Sequence, residues 1–154
     1  MPRAPVVNAK ALDYTMETRI RAFRPPHTKL GECPLYRDED GTLHYIDVLG
    51  YCIHILPLAA PNLARVIRCP ELISFMCFCQ GGGYLVCYFQ GIAKVGENGE
   101  WEVLEKIIPD EQKGSRRLND GAVDSQGRLW FGSVDMYGFL LLFLSISRTQ
   151  LIVL

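Results

Sequence analysis

Gly41-Thr-Leu-His-Tyr-Ile46, Gly83-Tyr-Leu-Val-Cys-Tyr88 and Gly127-Arg-Leu-Trp-Phe-Gly132 share one layout: a turn glycine, any residue, leucine, then aromatic and β-branched residues. The glycines fall 42 and 44 residues apart, and Leu30, Leu72 and Leu118 stand nine to eleven residues upstream of them. A period of roughly 40–50 residues built from short strands is the signature of a β-propeller, whose blades are four-stranded sheets. Each glycine closes a turn cluster, Asp38-Glu-Asp-Gly41, Gly81-Gly-Gly83 or Asp124-Ser-Gln-Gly127, made of residues that tolerate positive φ.

Strand-like stretches fill the space between the turns. Leu43–Val48 and Tyr51–Leu56, then Tyr84–Phe89 and Gly91–Val95, are short and rich in β-formers. Arg65–Arg68 and Trp101–Ile107 read as fourth strands, the latter reached through the hairpin turn Glu97-Asn98-Gly99. No segment carries a sustained helical period. The fold class is therefore all-β, a propeller fragment of about three blades over residues 28–135. Residues 1–27 form an N-terminal extension with a candidate closing strand at Thr18–Phe23.

Composition narrows the function classes. Hydrophobic residues make up 49% of the chain and the net charge is −1, which suits a globular domain and gives no electrostatic footprint for nucleic acid. The one basic cluster, Lys113, Arg116 and Arg117, reads as a solvated loop. Met1 to Ile20 lack the apolar run of a signal peptide, so a cytoplasmic location with six reduced cysteines is expected. No Cys-x-x-Cys pair occurs, and buried thiols are expected rather than a zinc site. Gly81-Gly-Gly83 is followed by no Lys-Ser/Thr, no Gly-x-Ser-x-Gly elbow occurs, and Asp38-Glu-Asp-Gly41 is too short for an EF-hand loop. His44 and His54 lie within strands and read as packing or surface residues. No Trp-Asp dipeptide or Gly-His opening supports a WD40-type scaffold.

The innermost strand of each blade lines the propeller's channel, and it should begin near the matched leucine. Just after that leucine stand Glu32, Ser74 and Asn119-Asp120. Glu32 and Asn119 are thereby placed toward one axis. A carboxylate with an amide oxygen is a donor pair that calcium or magnesium accepts. The plainer reading is that Glu32 and Asp120 serve turns while Asn119 bonds the backbone.

Leu30-Gly-Glu-Cys-Pro34 resembles the opening motif of the SMP-30/gluconolactonase/LRE-like family, the family of regucalcin. Arg117-Leu-Asn-Asp-Gly121, followed by Asp124-x-x-Gly127-Arg-Leu-Trp-Phe-Gly132, resembles its central motif, and the likeness runs from Lys29 to Asp135. The resemblance implies a six-bladed propeller that holds a divalent cation, calcium or zinc, and hydrolyses sugar-acid lactones. It makes Glu32 a metal ligand, Asn119 and Arg117 substrate contacts, and Asp120, Gly121 and Asp124 turn-shaping residues. It also implies further ligands and a carboxylate base from later blades, so no catalytic base is assigned in this chain. Weak cation binding and no lactonase activity are the corresponding expectations. A binding propeller without catalysis is the rival reading, and a non-functional truncated product is a third.

Residues 136–154 break the pattern as a divergent hydrophobic tail. Its uninterrupted apolar run, Phe139–Leu144, is short of the ~20 residues a membrane helix needs. A buried strand pair turning at Ser145–Gln150 and aberrant sequence from a faulty reading frame are the other readings, with the last preferred. A sugar lactone is the expected partner, with neither nucleic acid nor membrane.

Overall fold

A computed structural model describes residues 27–135 and 142–146. Eleven strands form three antiparallel sheets within those residues. The first contains β1 (Gly31–Arg37), β2 (Thr42–Asp47), β3 (Cys52–Pro57) and β4 (Arg65–Arg68) in chain order. The second repeats that order with β5 (Ile73–Phe78), β6 (Tyr84–Tyr88), β7 (Gly91–Val95) and β8 (Trp101–Lys106). The third contains β9 (Arg116–Val123), β10 (Leu129–Asp135) and β11 (Leu142–Ile146). These are successive propeller blades, and β1 packs on β5 and β5 on β9 along one edge of the stack.

The turn glycines behave as their spacing requires. Gly41, Gly83 and Gly127 have φ of +66°, +78° and +74°, so the repeated residue is one that enters the left-handed region freely. The matched leucines recur as well: the Leu30 and Leu72 carbonyls accept from Val48 N–H and Phe89 N–H, each at 2.9 Å. These bonds fasten the opening of an inner strand to the end of its neighbour.

Two apolar cores lie between the blades. Ile46, Ile53 and Ile55 of the first blade meet Met76, Tyr84 and Val86 of the second. On the second blade's other face, Leu85, Cys87 and Ile92 meet Leu118, Leu129 and Phe131. This sandwiching explains why β6 is an unbroken buried run, Tyr84 to Tyr88, whereas β9 alternates between sheltered and open positions.

Several expectations are refined. Arg116 and Arg117 belong to strand β9, not to a loop, because β10 pairs with them at Asp135 and Val134. His44 and His54 are both core residues, at 0% and 6% exposure. The six cysteines are free thiols. Beyond Asp135, where the sequence pattern breaks, β11 pairs with β10 from Leu129↔Ile146 to Ser133↔Leu142 and places Ser145 in a strand. β11 is the next strand along the chain, and the sequence between the two lacks the turn clusters that announce the earlier pairs. The candidate closing strand Thr18–Phe23 lies outside the described residues. Among the described residues, no helix is long and apolar enough to cross a membrane.

Candidate active site

Each inner strand is irregular where it opens. The register shifts between Glu32 and Leu35 in β1, between Ile73 and Phe75 in β5, and opposite Phe131/Ser133 in β9, the stretch holding Asn119 and Asp120. A bulge breaks the strict alternation of a strand and re-aims the side chains beside it. These three bulges line one cleft of about 190 Å³ with Glu32, Cys33, Ser74, Arg117, Asn119 and Asp120. All three residues singled out from sequence, Glu32, Arg117 and Asn119, are therefore brought together.

Glu32 is held by the backbone around it. The buried Asp47 carboxylate accepts N–H bonds from Lys29, Leu30 and Gly50, each at 3.0 Å, and so ties the start of β1 to the β2–β3 turn. Burial raises the Asp47 pKa, but the three N–H donors outweigh it and the net shift is downward. On Glu32's other side, Cys33 takes φ +52°, a left-handed conformation uncommon for a side chain other than glycine. Its thiol spans to the second blade, donating to the Met76 carbonyl at 3.2 Å while accepting from Met76 N–H at 3.4 Å. Burial pushes that thiol's pKa up, which argues against a thiolate nucleophile. The Glu32 side chain is exposed, and its carboxylate has no hydrogen bond or ion pair among the described residues.

Arg117 and Asn119 form a unit. Arg117 Nη1 donates to Asn119 Oδ1 at 2.9 Å and to the Leu118 carbonyl at 3.0 Å. The guanidinium is partly buried without a salt bridge among the described residues, and burial lowers its pKa. Its remaining donors are open to a polar ligand. Ser74, on the middle blade, donates to the Asn119 carbonyl at 2.7 Å and fixes β9 against β5. Asp120 is exposed and its Oδ1 accepts Gly121 N–H at 2.8 Å within the bulged stretch. Asp124 lies away from the cleft as the clamp of the β9–β10 turn, accepting from Gln126 N–H, Arg128 N–H and Trp130 Nε1.

The donor set suits a hard cation in kind: the Glu32 and Asp120 carboxylates are oxygen donors at one cleft. It falls short in number, because calcium takes six to eight oxygens and the Asn119 amide oxygen already accepts from a cationic guanidinium. Sequence reasoning did not separate out Cys33. A positive φ at a non-glycine residue leaves no mark in the amino-acid pattern.

The chain shares 28% identity over 120 residues with a 6-deoxy-6-sulfogluconolactonase of Pseudomonas putida, covering 77% of this chain and 40% of that protein. Its fold matches the luciferin-regenerating enzyme with a TM-score of 0.62 and 24% identity, over 71% of this chain and 37% of the other. A regucalcin of Agrobacterium tumefaciens, described as a calcium-binding protein, also matches at 0.62, with 22% identity and the same coverage. The chain thus spans about two fifths of the length of these relatives. The SMP-30/gluconolactonase/LRE-like region matches residues 30–139, more than half of the sequence, and the chain belongs to that family.

Proposed function

We propose that the cleft is part of a cation-dependent lactone-hydrolysing site, with Glu32 as a metal ligand and Arg117 and Asn119 as contacts for a sugar-acid lactone. The observation that carries this reading is the convergence of those residues, from blades one and three, on a single cleft. A bound divalent cation supplies Lewis-acid polarisation of a carbonyl oxygen. Glu32 contributes the unpaired carboxylate that would hold such an ion. Arg117 keeps one nitrogen on Asn119 and directs its other donors at sugar hydroxyls or at a carboxylate product. Ser74 and Asp47 keep β9 and β1 in place around them. No general base is assigned among the described residues. A cation-binding module without catalysis would use the same Glu32 and has no observation of its own.

Calcium titration of the chain by calorimetry tests the assignment. Binding is expected to be weak, with a dissociation constant on the order of 1 mM, as suits a short donor set. Glu32→Gln should abolish it. Calcium binding that survives Glu32→Gln would remove Glu32 from the site. Hydrolysis of gluconolactone, followed by acid release, is expected to stay at the uncatalysed rate with or without the ion. Cation-dependent turnover would show that the cleft holds more of the machinery than is assigned here.

A further inference from the structure

We propose that Asp47, Cys52 and His54 form a second cation site, suited to a thiolate-accepting divalent ion of the zinc class and separate from the Glu32 cleft. Strand alternation brings the three together. On β2, His44 and Ile46 face the second blade, so Tyr45 and Asp47 take the opposite face of the sheet. Across the ladder, Cys52 pairs with Asp47 and His54 with Tyr45, which adds a thiol and an imidazole to that face. Cys52-Ile-His54 is a two-residue spacing on a strand, and a search for Cys-x-x-Cys passes over it.

The geometry suits a small four-coordinate ion. One ligand atom from each residue lies within 4.8 Å of the other two. Cys52 Sγ and His54 Nε2 are 3.4 Å apart. A tetrahedral zinc with sulfur at about 2.3 Å and nitrogen at about 2.0–2.1 Å sets that edge at about 3.5 Å. Asp47, Cys52 and His54 are all more than nine-tenths buried, at 4%, 3% and 6% exposure.

Polar groups beside the cluster are incompletely satisfied. His54 Nδ1 and the Tyr45 hydroxyl, on rings stacked 4.7 Å apart, are buried with no hydrogen-bond partner. Asp47 uses three of its roughly four lone-pair sites on backbone N–H groups and keeps one. Arg68, close to Cys52 and His54, opposes a cation there. Formation of the thiolate compensates: the ion takes the place of the Cys52 proton, and one proton leaves per ion bound. Because Asp47 holds Lys29 and Leu30, a bound ion would also stiffen the opening of β1.

Titration of the full chain with Co²⁺ decides the matter. One equivalent should bind with the visible bands of a four-coordinate ion and an ultraviolet thiolate-to-metal charge-transfer band. Cys52→Ser should remove the charge-transfer band and weaken binding by at least about tenfold, since even outer ligands are worth that much. His54→Gln should weaken it similarly. Cys87→Ser, a buried thiol outside the cluster, and Glu32→Gln, the cleft ligand, should leave both features intact. Circular dichroism confirms that each variant is folded. Absence of the charge-transfer band in the unmodified chain, or its persistence in Cys52→Ser, overturns the proposal and leaves an ordinary thiol–imidazole hydrogen bond.

Discussion

Gly81 and Gly83 stand two residues apart in one turn, both in the left-handed region, at φ +84° and +78°. Their surroundings differ. A methyl group at Gly81 would meet nothing within 4 Å, whereas at Gly83 it would lie 2.5 Å from the Val95 carbonyl oxygen. Gly81→Ala should therefore cost only the backbone preference, about 1 kcal/mol. Gly83→Ala adds a clash with fixed backbone of the adjacent strand and should cost at least about 2–3 kcal/mol. Paired urea melts check the ordering, and equal losses would mean that β6 and β7 separate without strain. The need for glycine at 41, 83 and 127 was legible in sequence because a turn's φ requirement is local. The close approach at Gly83 was not legible, since it is set by a strand folded back against it. Glu32, Arg117 and Asn119 were legible as candidates through their motifs, while the Cys33 backbone conformation and its thiol bonds to Met76 of the next blade are products of tertiary packing.

The elements that matter for the cleft are the three bulged strand openings, and Ser74 joins two of them. Its hydroxyl donates to the Asn119 carbonyl at 2.7 Å and lies 3.4 Å from the Cys87 carbonyl. Ser74→Ala removes the donor and leaves a sheltered carbonyl without its partner, at a cost of about 1–2 kcal/mol. Because the bond fixes β9 against β5, the same change should weaken calcium binding at the cleft even though Ser74 is not assigned as a ligand. A chemical melt and a calcium titration of the variant together test this. Lost stability with unchanged calcium affinity would limit Ser74 to a packing role. At this scale, strands β2–β4 and β6–β8 followed from the repeat, β-former content and turn chemistry. The bulges did not, because a register shift is a property of two strands and their offset. The third strand of the last sheet, β11, pairs with β10 in regular register; a buried strand there was one of three readings of the tail, passed over because residues 136–154 lack the turn clusters of the repeat.

Across the whole molecule, the middle blade is joined to the first by a buried hydrogen-bond chain whose direction can be deduced. Thr42 donates its hydroxyl proton to Asp40 at 2.5 Å, so its oxygen must accept from His44 Nε2–H at 2.6 Å. His44 Nδ1 is then the acceptor for the Tyr84 hydroxyl of the second blade, at 2.7 Å. Arg37 closes the outer end, bonding Asp40 and, at 2.8 Å, Glu97 of the second blade. Every group in this chain is satisfied when His44 is neutral. Burial, followed by the nearby Arg37 charge, lowers the His44 pKa to about 4. Burial lowers that of His54 as well. The unfolded chain therefore takes up protons near pH 6.5 while the folded chain does not, and stability must rise with pH across this interval. The stability tied to neutral His44 is fully present above about pH 6.5 and is lost as pH falls to about 4, by roughly 3 kcal/mol in all. Carboxylates with lowered pKa values, Asp40 at about 2 among them, continue the loss at lower pH. Urea midpoints measured between pH 7 and pH 4 should show this slope. His44→Gln should be less stable at neutral pH but should flatten the slope, leaving the smaller share of His54. An unchanged slope in that variant would show that the buried chain between the blades does not set the acid sensitivity of the fold.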